Sequence, residues 1–313
     1  MKALILAPFS QKSIDQLSTR MSVAYEPWTE TKQLWDPAEL AVRLAEEAIE
    51  VVIVEIDFLF DEVFEDPSPL KFIGLCRNAT NQVDLEAAVA HGVVVVNTPG
   101  RNANAVAELT IGFAFALARR ILESHTYVSS GRWEDPLTPY TERRGTELAG
   151  KTLGVVGLGT IGKRVARLGH ALGMRILGYD PYPTAPRYVA MSTLEELLTH
   201  SNVVTLHVPE TPETIGMIGK RQLALMQPTG YLINTASAAL VDEAALVEAL
   251  QARRIAGAAL DVYETHPVVP NSPLLKLDNV ILTPHIGGAT AETIERYSQM
   301  ITRDLLQFAR SRS

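Results

Sequence analysis

Gly154-Val155-Val156-Gly157-Leu158-Gly159-Thr160-Ile161-Gly162 closes one β-branched segment, Leu153–Val156, and opens a helical one, Lys163–Leu172. A Gly-x-Gly-x-x-Gly run in that setting gives each glycine a task. Gly157 makes the tight turn, Gly159 lets backbone approach a pyrophosphate, and Gly162 allows helix and strand to pack closely. Thr160 and Ile161 complete the cradle, where the helix N-terminus adds unpaired N–H groups and a partial positive charge. The following strand segment ends in Gly178-Tyr179-Asp180, with Asp180 18 positions after Gly162. A carboxylate there accepts from ribose hydroxyls and repels a 2'-phosphate. Neither Pro181 nor Tyr182 offers a compensating cation, so the expected dinucleotide is NAD and not NADP.

Outward from this motif the pattern repeats. Towards the C-terminus, strand segments at Arg175–Tyr179, Val203–Leu206, Tyr231–Asn234 and Ala256–Leu260 alternate with helical stretches. Towards the N-terminus, Ala3–Leu6, Val51–Val54, Lys71–Leu75 and Val93–Val96 alternate with Pro37–Ile49 and Leu85–His91. Alternation of this kind builds parallel βαβ units. The expected fold class is therefore α/β, with two doubly wound parallel-sheet domains. Thr98-Pro99-Gly100 and Thr283-Pro284-His285-Ile286-Gly287-Gly288 punctuate the two crossings, and the last helix follows at Ala291–Ala309. The expected boundaries are 1–98 plus 289–313 for one domain and 99–288 for the other, with a cleft at the junction.

Composition narrows the partners. The 313 residues carry a formal charge of -8 without Lys/Arg runs, which argues against a nucleic-acid surface, since such binding needs several phosphates neutralised together. Cys76 is the only cysteine and no Cys/His cluster has zinc-ligand spacing, so neither a disulfide nor a metal is expected and the compartment reads as reducing and cytoplasmic. The apolar run Ala105–Ala118 has 14 residues, fewer than the roughly 20 that span a bilayer. No membrane association is expected. A helix apolar on nearly every face is buried on more than one side, so Asn102–Ile121 is expected to be a buried helix that contributes to a symmetric homodimer. Trp133 and Tyr140 follow it and are expected to pack in the core, the alternative being that they reach a neighbouring subunit's cleft.

Three further segments end strands of the second series: Asn234-Thr235-Ala236-Ser237-Ala238-Ala239, Asp261-Val262-Tyr263-Glu264-Thr265-His266-Pro267, and the Pro284-His285 segment. Ligands of open α/β sheets bind at such ends. Together with Val241-Asp242-Glu243, Asn97-Thr98-Pro99-Gly100, Thr80-Asn81-Gln82-Val83-Asp84 and His207-Val208-Pro209-Glu210-Thr211, these segments make the chain resemble the D-isomer-specific 2-hydroxyacid dehydrogenases over nearly its whole length. The phosphoglycerate dehydrogenase-like branch is the most similar. The chain stops short of the C-terminal regulatory domain found in some of those members, so serine feedback is not expected.

The resemblance implies a flavodoxin-like substrate domain beside a Rossmann NAD-binding domain. It also implies hydride transfer between nicotinamide and a small anionic 2-oxo or 2-hydroxy acid. It makes His285 the acid/base, a role that suits an imidazole at neutral pH. It places Asp261 beside the carboxamide, lines the cofactor with His207, Val208, Pro209, Thr214, Thr235, Ala236, Gly287 and Gly288, and cradles the substrate carboxylate on the N–H groups of Asn78 and Ala79.

Two positions depart from the family pattern. Ser237 stands where relatives carry an arginine that grips the carboxylate and polarises the carbonyl, and losing one such donor typically costs about 10²- to 10³-fold in rate. His266 stands where relatives carry a glutamate that orients the catalytic histidine. A histidine can share a proton with His285 but does not stabilise its charged form as a carboxylate does. Arg77 has two readings, a replacement cation or a surface arginine. Arg143 and Arg144 are weaker candidates. Two functional expectations follow: an NAD-dependent oxidoreductase with a modified acid/base set, or a catalytically impaired, NAD(H)-sensing scaffold.

Overall fold

Val51–Val54 is a run of four β-branched residues, and all four are buried. That is the pattern of a strand in a parallel sheet covered on both faces. In the computed structural model, which describes residues 1–65, 67–182 and 185–311, this strand sits at the centre of the first of two units. The units are Met1–Arg101 with Thr290–Ser313, and Asn102–Ala289. The final two positions of the expected 289–313 segment lie outside the described residues.

The first unit has strands β1 (Lys2–Ile5), β2 (Ser22–Tyr25), β3 (Val51–Val54), β4 (Phe72–Leu75) and β5 (Val94–Val96), in the order β2-β1-β3-β4-β5 and all parallel. That is the flavodoxin-like doubly wound order. The terminal helix, Ala291–Ser311, belongs to this unit, and Tyr297, Ile301 and Leu305 join its core. A Cβ on Gly74 would stand 2.8 Å from Ile301 Cγ2, so the absent side chain in β4 sets how closely that helix approaches.

The second unit has β6 (Thr152–Val156), β7 (Arg175–Tyr179), β8 (Val189–Met191), β9 (Val203–Leu206), β10 (Tyr231–Asn234), β11 (Gly257–Leu260) and β12 (Val280–Leu282). Their order, β12-β11-β10-β9-β6-β7-β8, is the Rossmann arrangement extended by one strand, and the winding reverses between β6 and β9. Both expected doubly wound sheets are present. The edge strands β2, β8 and β12 are additions to the expected set. Ser22–Tyr25 and Val280–Leu282 contain no fully buried residue, so their hydrophobic signal is weak.

The apolar helix of the second unit runs Ala103–Ala118 and buries Val106, Thr110, Phe113, Ala114 and Leu117. It is shorter than the expected Asn102–Ile121. Arg120 adopts the left-handed region (φ 51°), which ends the helix and starts a second one, Ile121–Ser129. The structure corrects the expectation of core packing for Trp133 and Tyr140, which are 54% and 76% exposed. No helix among the described residues is long and apolar enough to cross a membrane.

Candidate active site

The glycine loop follows β6 at the winding reversal. Gly157 has φ +92°, and a Cβ there would fall 2.7 Å from the His207 carbonyl, so the loop passes directly under the end of β9. A Cβ on Gly162 would lie 1.8 Å from the Gly157 oxygen. Gly159 differs from both: a Cβ built there meets nothing within 4 Å. It faces open space and caps the Thr160–Ala171 helix without a side-chain hydrogen bond. The first N–H groups of that helix, at Thr160, Ile161 and Gly162, are thus available to an anion. Two glycines are demanded by packing and one by an open approach, which is what a dinucleotide pyrophosphate requires.

Asp180 ends β7 and ties this loop. Its Oδ2 accepts from Leu158 N–H at 2.7 Å and its Oδ1 from Tyr182 N–H at 2.8 Å. A carboxylate has about four acceptor positions, so further donors can still be received. Across the reversal, Thr205 Oγ1 and His207 Nε2 are 2.9 Å apart, while His207 Nδ1 is buried without a partner among the described residues. Burial pushes this imidazole down to about 3. Thr214 Oγ1 donates to the Pro209 carbonyl at 2.7 Å and accepts from Thr211 N–H at 2.8 Å, so it shapes the loop that carries Val208 and Pro209. Thr235, at the end of β10, meets Thr110 Oγ1 at 3.2 Å beside Ala236.

Asp261, 1% exposed at the end of β11, organises the segment that carries His285. Its Oδ1 accepts from Ile286 N–H at 2.8 Å and from the Thr283 hydroxyl, and its Oδ2 accepts from Gly287 N–H at 2.7 Å. A Cβ on Gly287 would meet Asp261 Oδ2 at 2.9 Å, and one on Gly288 would meet Asn102 Nδ2 at 3.0 Å. His285 is held with φ +55°, a conformation rare for a residue with a side chain. Its Nδ1 lies 3.0 Å from His266 Nε2. The Tyr263 ring meets His266 edge-on at 6.1 Å, and its hydroxyl lies 2.9 Å from the Thr283 carbonyl. Burial raises that phenol to about 12, so it stays a donor.

Ser237 Oγ donates to Glu210 Oε2 at 2.6 Å and accepts from Ala239 N–H at 3.3 Å, while Asn234 Nδ2 donates to the Ser237 carbonyl at 2.7 Å. At the position expected to hold a guanidinium, the unit therefore presents a hydroxyl whose proton is committed to a carboxylate. Glu210, Tyr263 and Thr283 are site residues that sequence reasoning did not single out. Glu210 entered only as part of the His207–Thr211 segment, and its contact with Ser237, 27 positions away, was not signalled.

Arg77, Asn78 and Ala79 belong to the other unit, after β4. Arg77 Nη1 donates to Gln82 Oε1 at 3.3 Å, and Asn97 Nδ2 donates to the Asn78 carbonyl at 2.7 Å. Asn78 and Ala79 are exposed, and neither N–H has an acceptor among the described residues. Arg143 is committed elsewhere, paired with Glu123 at 2.7 Å and stacked 4.0 Å over Tyr127. No group of three or more potential metal ligands occurs among the described residues.

A Rossmann sheet with an anion-accepting glycine loop and a histidine dyad at its strand ends defines a dinucleotide-dependent oxidoreductase. Residues 111–287 match the family of the D-isomer specific 2-hydroxyacid dehydrogenase, NAD binding domain. The chain belongs to that family of NAD-dependent dehydrogenases. It is 38% identical to the D-3-phosphoglycerate dehydrogenase of Archaeoglobus fulgidus over 99% of its own length, and it spans 58% of that longer relative. The TT0316 protein of Thermus thermophilus superposes with a TM-score of 0.86 at 37% identity, covering 98% of this chain and 96% of that one. An acyclic imino acid reductase, Bsp5, in complex with NADPH and D-Arg superposes with a TM-score of 0.83 at 25% identity, covering 99% and 98%.

Proposed function

We propose that this chain transfers hydride between NAD and C2 of a small 2-hydroxy or 2-oxo acid, with His285 as the acid/base. The observation that carries the reading is the His285–His266 contact of 3.0 Å, held on a segment whose three donors converge on buried Asp261. When bound, the dinucleotide supplies or receives the hydride. Gly157, Gly159, Thr160, Ile161 and Gly162 receive its pyrophosphate and Asp180 its ribose. His207, Val208, Pro209, Thr214, Thr235, Ala236, Asp261, Gly287 and Gly288 line the remainder.

The His285 imidazole, oriented by the contact of its Nδ1 with His266, passes a proton to the substrate oxygen. His266 acts through His285: it fixes the ring orientation and shares one proton across the 3.0 Å contact. The N–H groups of Asn78 and Ala79 are the expected donors to the substrate carboxylate, and Arg77 is a cation on the same loop. Ser237 supplies no positive charge. Turnover is therefore expected below that of an arginine-bearing relative by about 10²- to 10³-fold for the carbonyl reaction. The same scaffold serves an acyclic imino acid reductase, so a C=N group is compatible with the fold.

The Ser237–Glu210 hydrogen bond also favours a second reading, an NAD(H)-sensing protein with little turnover. The two readings separate when NADH oxidation is followed with a panel of 2-oxo acids. Hydride transfer abolished by His285→Asn supports the enzyme, whereas NADH binding without transfer supports the sensor.

The reading further includes a symmetric homodimer in the cytoplasm. Ile121, Leu122, Val128, Leu137 and Tyr140 expose apolar surface along the segment after the Ala103–Ala118 helix. Sedimentation at micromolar concentration tests the dimer; a monomer contradicts it.

A further inference from the structure

Reducing a carbonyl makes two demands on a protein. A donor must stabilise the negative charge that develops on oxygen, and an acid must protonate it. Position 237 answers the first demand poorly. The Ser237 proton is directed to Glu210 at 2.6 Å, and its oxygen already accepts from Ala239 N–H. The Glu210 side chain is exposed, and its carboxylate lies within hydrogen-bond reach of the Ser237 hydroxyl. A developing alkoxide close to that carboxylate is repelled by it. The second demand is also served less well, because His266 brings His285 no negative charge.

A protonated C=N group reverses both demands. Its positive charge is present before reaction, so it needs acceptors for its N–H groups and not a donor. Resting on the reading that this chain is an NAD-linked hydride-transfer enzyme, we propose that Glu210, oriented by Ser237, receives the iminium of a 2-imino acid, and that the chain interconverts 2-imino and 2-amino acids. In the reductive direction C2 gains a hydride from the reduced dinucleotide, forming one C–H bond. The C=N π pair moves onto nitrogen and the positive charge is lost. The products are a neutral amine and the oxidised dinucleotide, and no proton is taken from the protein. In the oxidative direction the same bonds break and form in reverse.

The test compares NADH oxidation with a 2-oxo acid alone and with added ammonium at matched ionic strength, with chiral chromatography of the product. The proposal expects the rate to rise at least about tenfold with ammonium, with a 2-amino acid as product. It also expects Glu210→Gln to act in opposite directions, lowering the ammonium-dependent rate and raising the oxo-acid rate. A readout independent of turnover is the dead-end complex with NADH. There, Glu210→Gln weakens binding of a 2-amino acid by about tenfold relative to the matching 2-hydroxy acid. Absence of amino acid product, or an equal effect of Glu210→Gln on both substrates and both ligands, overturns the proposal. Reduction of the oxo acid without any ammonium effect overturns it while leaving the hydride-transfer reading intact; no NADH oxidation in any mixture removes both.

Discussion

Ser237 and Glu210 share a hydrogen bond of 2.6 Å, which is in the range of a hydroxyl donating to an ionised carboxylate. Glu210 is therefore part of what position 237 presents to a ligand, and the two positions respond together to substitution. Ser237→Arg alone places a guanidinium beside Glu210, where the two charges pair. It is expected to raise kcat/KM for a 2-oxo acid by less than about tenfold, whereas Ser237→Arg with Glu210→Gln is expected to raise it by about 10²-fold or more. Steady-state kinetics of the two single variants and the double variant check the coupling.

The histidine pair gives a prediction in pH. His285→Asn removes the acid/base and is expected to lower kcat by about 10²- to 10⁴-fold while leaving the NADH dissociation constant within about twofold. His266→Glu puts a carboxylate next to His285 and favours its charged form. The alkaline limb of the reduction profile is expected to move to higher pH by about one unit or more. An unmoved limb would show that His266 does not act through His285.

The three glycines separate by geometry. Gly162→Ala drives a methyl group into the Gly157 oxygen, 1.8 Å away, and is expected to destabilise the protein by at least about 2 kcal/mol. Gly159→Ala meets no protein atom within 4 Å. It should leave the denaturation midpoint nearly unchanged yet weaken NADH binding by about tenfold or more, because the methyl occupies the approach to the pyrophosphate. Chemical denaturation and fluorescence titration of the two variants distinguish the roles.

His207 links folding to pH. Its folded value is about 3, below the 6.5 of an unfolded histidine. As pH falls below about 6.5 the unfolded chain takes up a proton that the folded chain refuses. Folded stability is then lost progressively until pH nears 3, and above about 6.5 the group contributes nothing. At pH 4.5 the loss has an upper bound of about 3 kcal/mol. His207→Gln should therefore narrow the difference in denaturation midpoint between pH 7 and pH 4.5.

Much of this was legible in the chain because the deciding signals are local. Four β-branched residues at Val51–Val54 state a buried parallel strand, and Gly157, Gly159 and Gly162 state a turn, an approach and a close packing within six positions. Partners brought together by folding were not legible. Glu210 reaches Ser237 only because β9 and β10 are neighbours, and Tyr263 reaches the Thr283 carbonyl only because β11 and β12 are. The helix expected to run through Ile121 ends at Ala118 because Arg120 turns left-handed, a choice that its side-chain type does not announce. Trp133 and Tyr140 carry apolar bulk, yet they stand exposed, because bulk alone does not say which side of a segment faces the core.

The central claim is that His285 and the glycine loop serve hydride transfer to C2 despite Ser237 and His266. It is tested most directly with NADH deuterated at the transferable C4 position. The protein is incubated with a panel of 2-oxo acids, with and without ammonium, from about pH 5 to about pH 10, and the products are read by mass spectrometry. The account predicts deuterium at C2 of a hydroxy or amino acid product, lost in His285→Asn for the oxo substrates. Tight NADH binding with no deuterium at C2 in any mixture would contradict it.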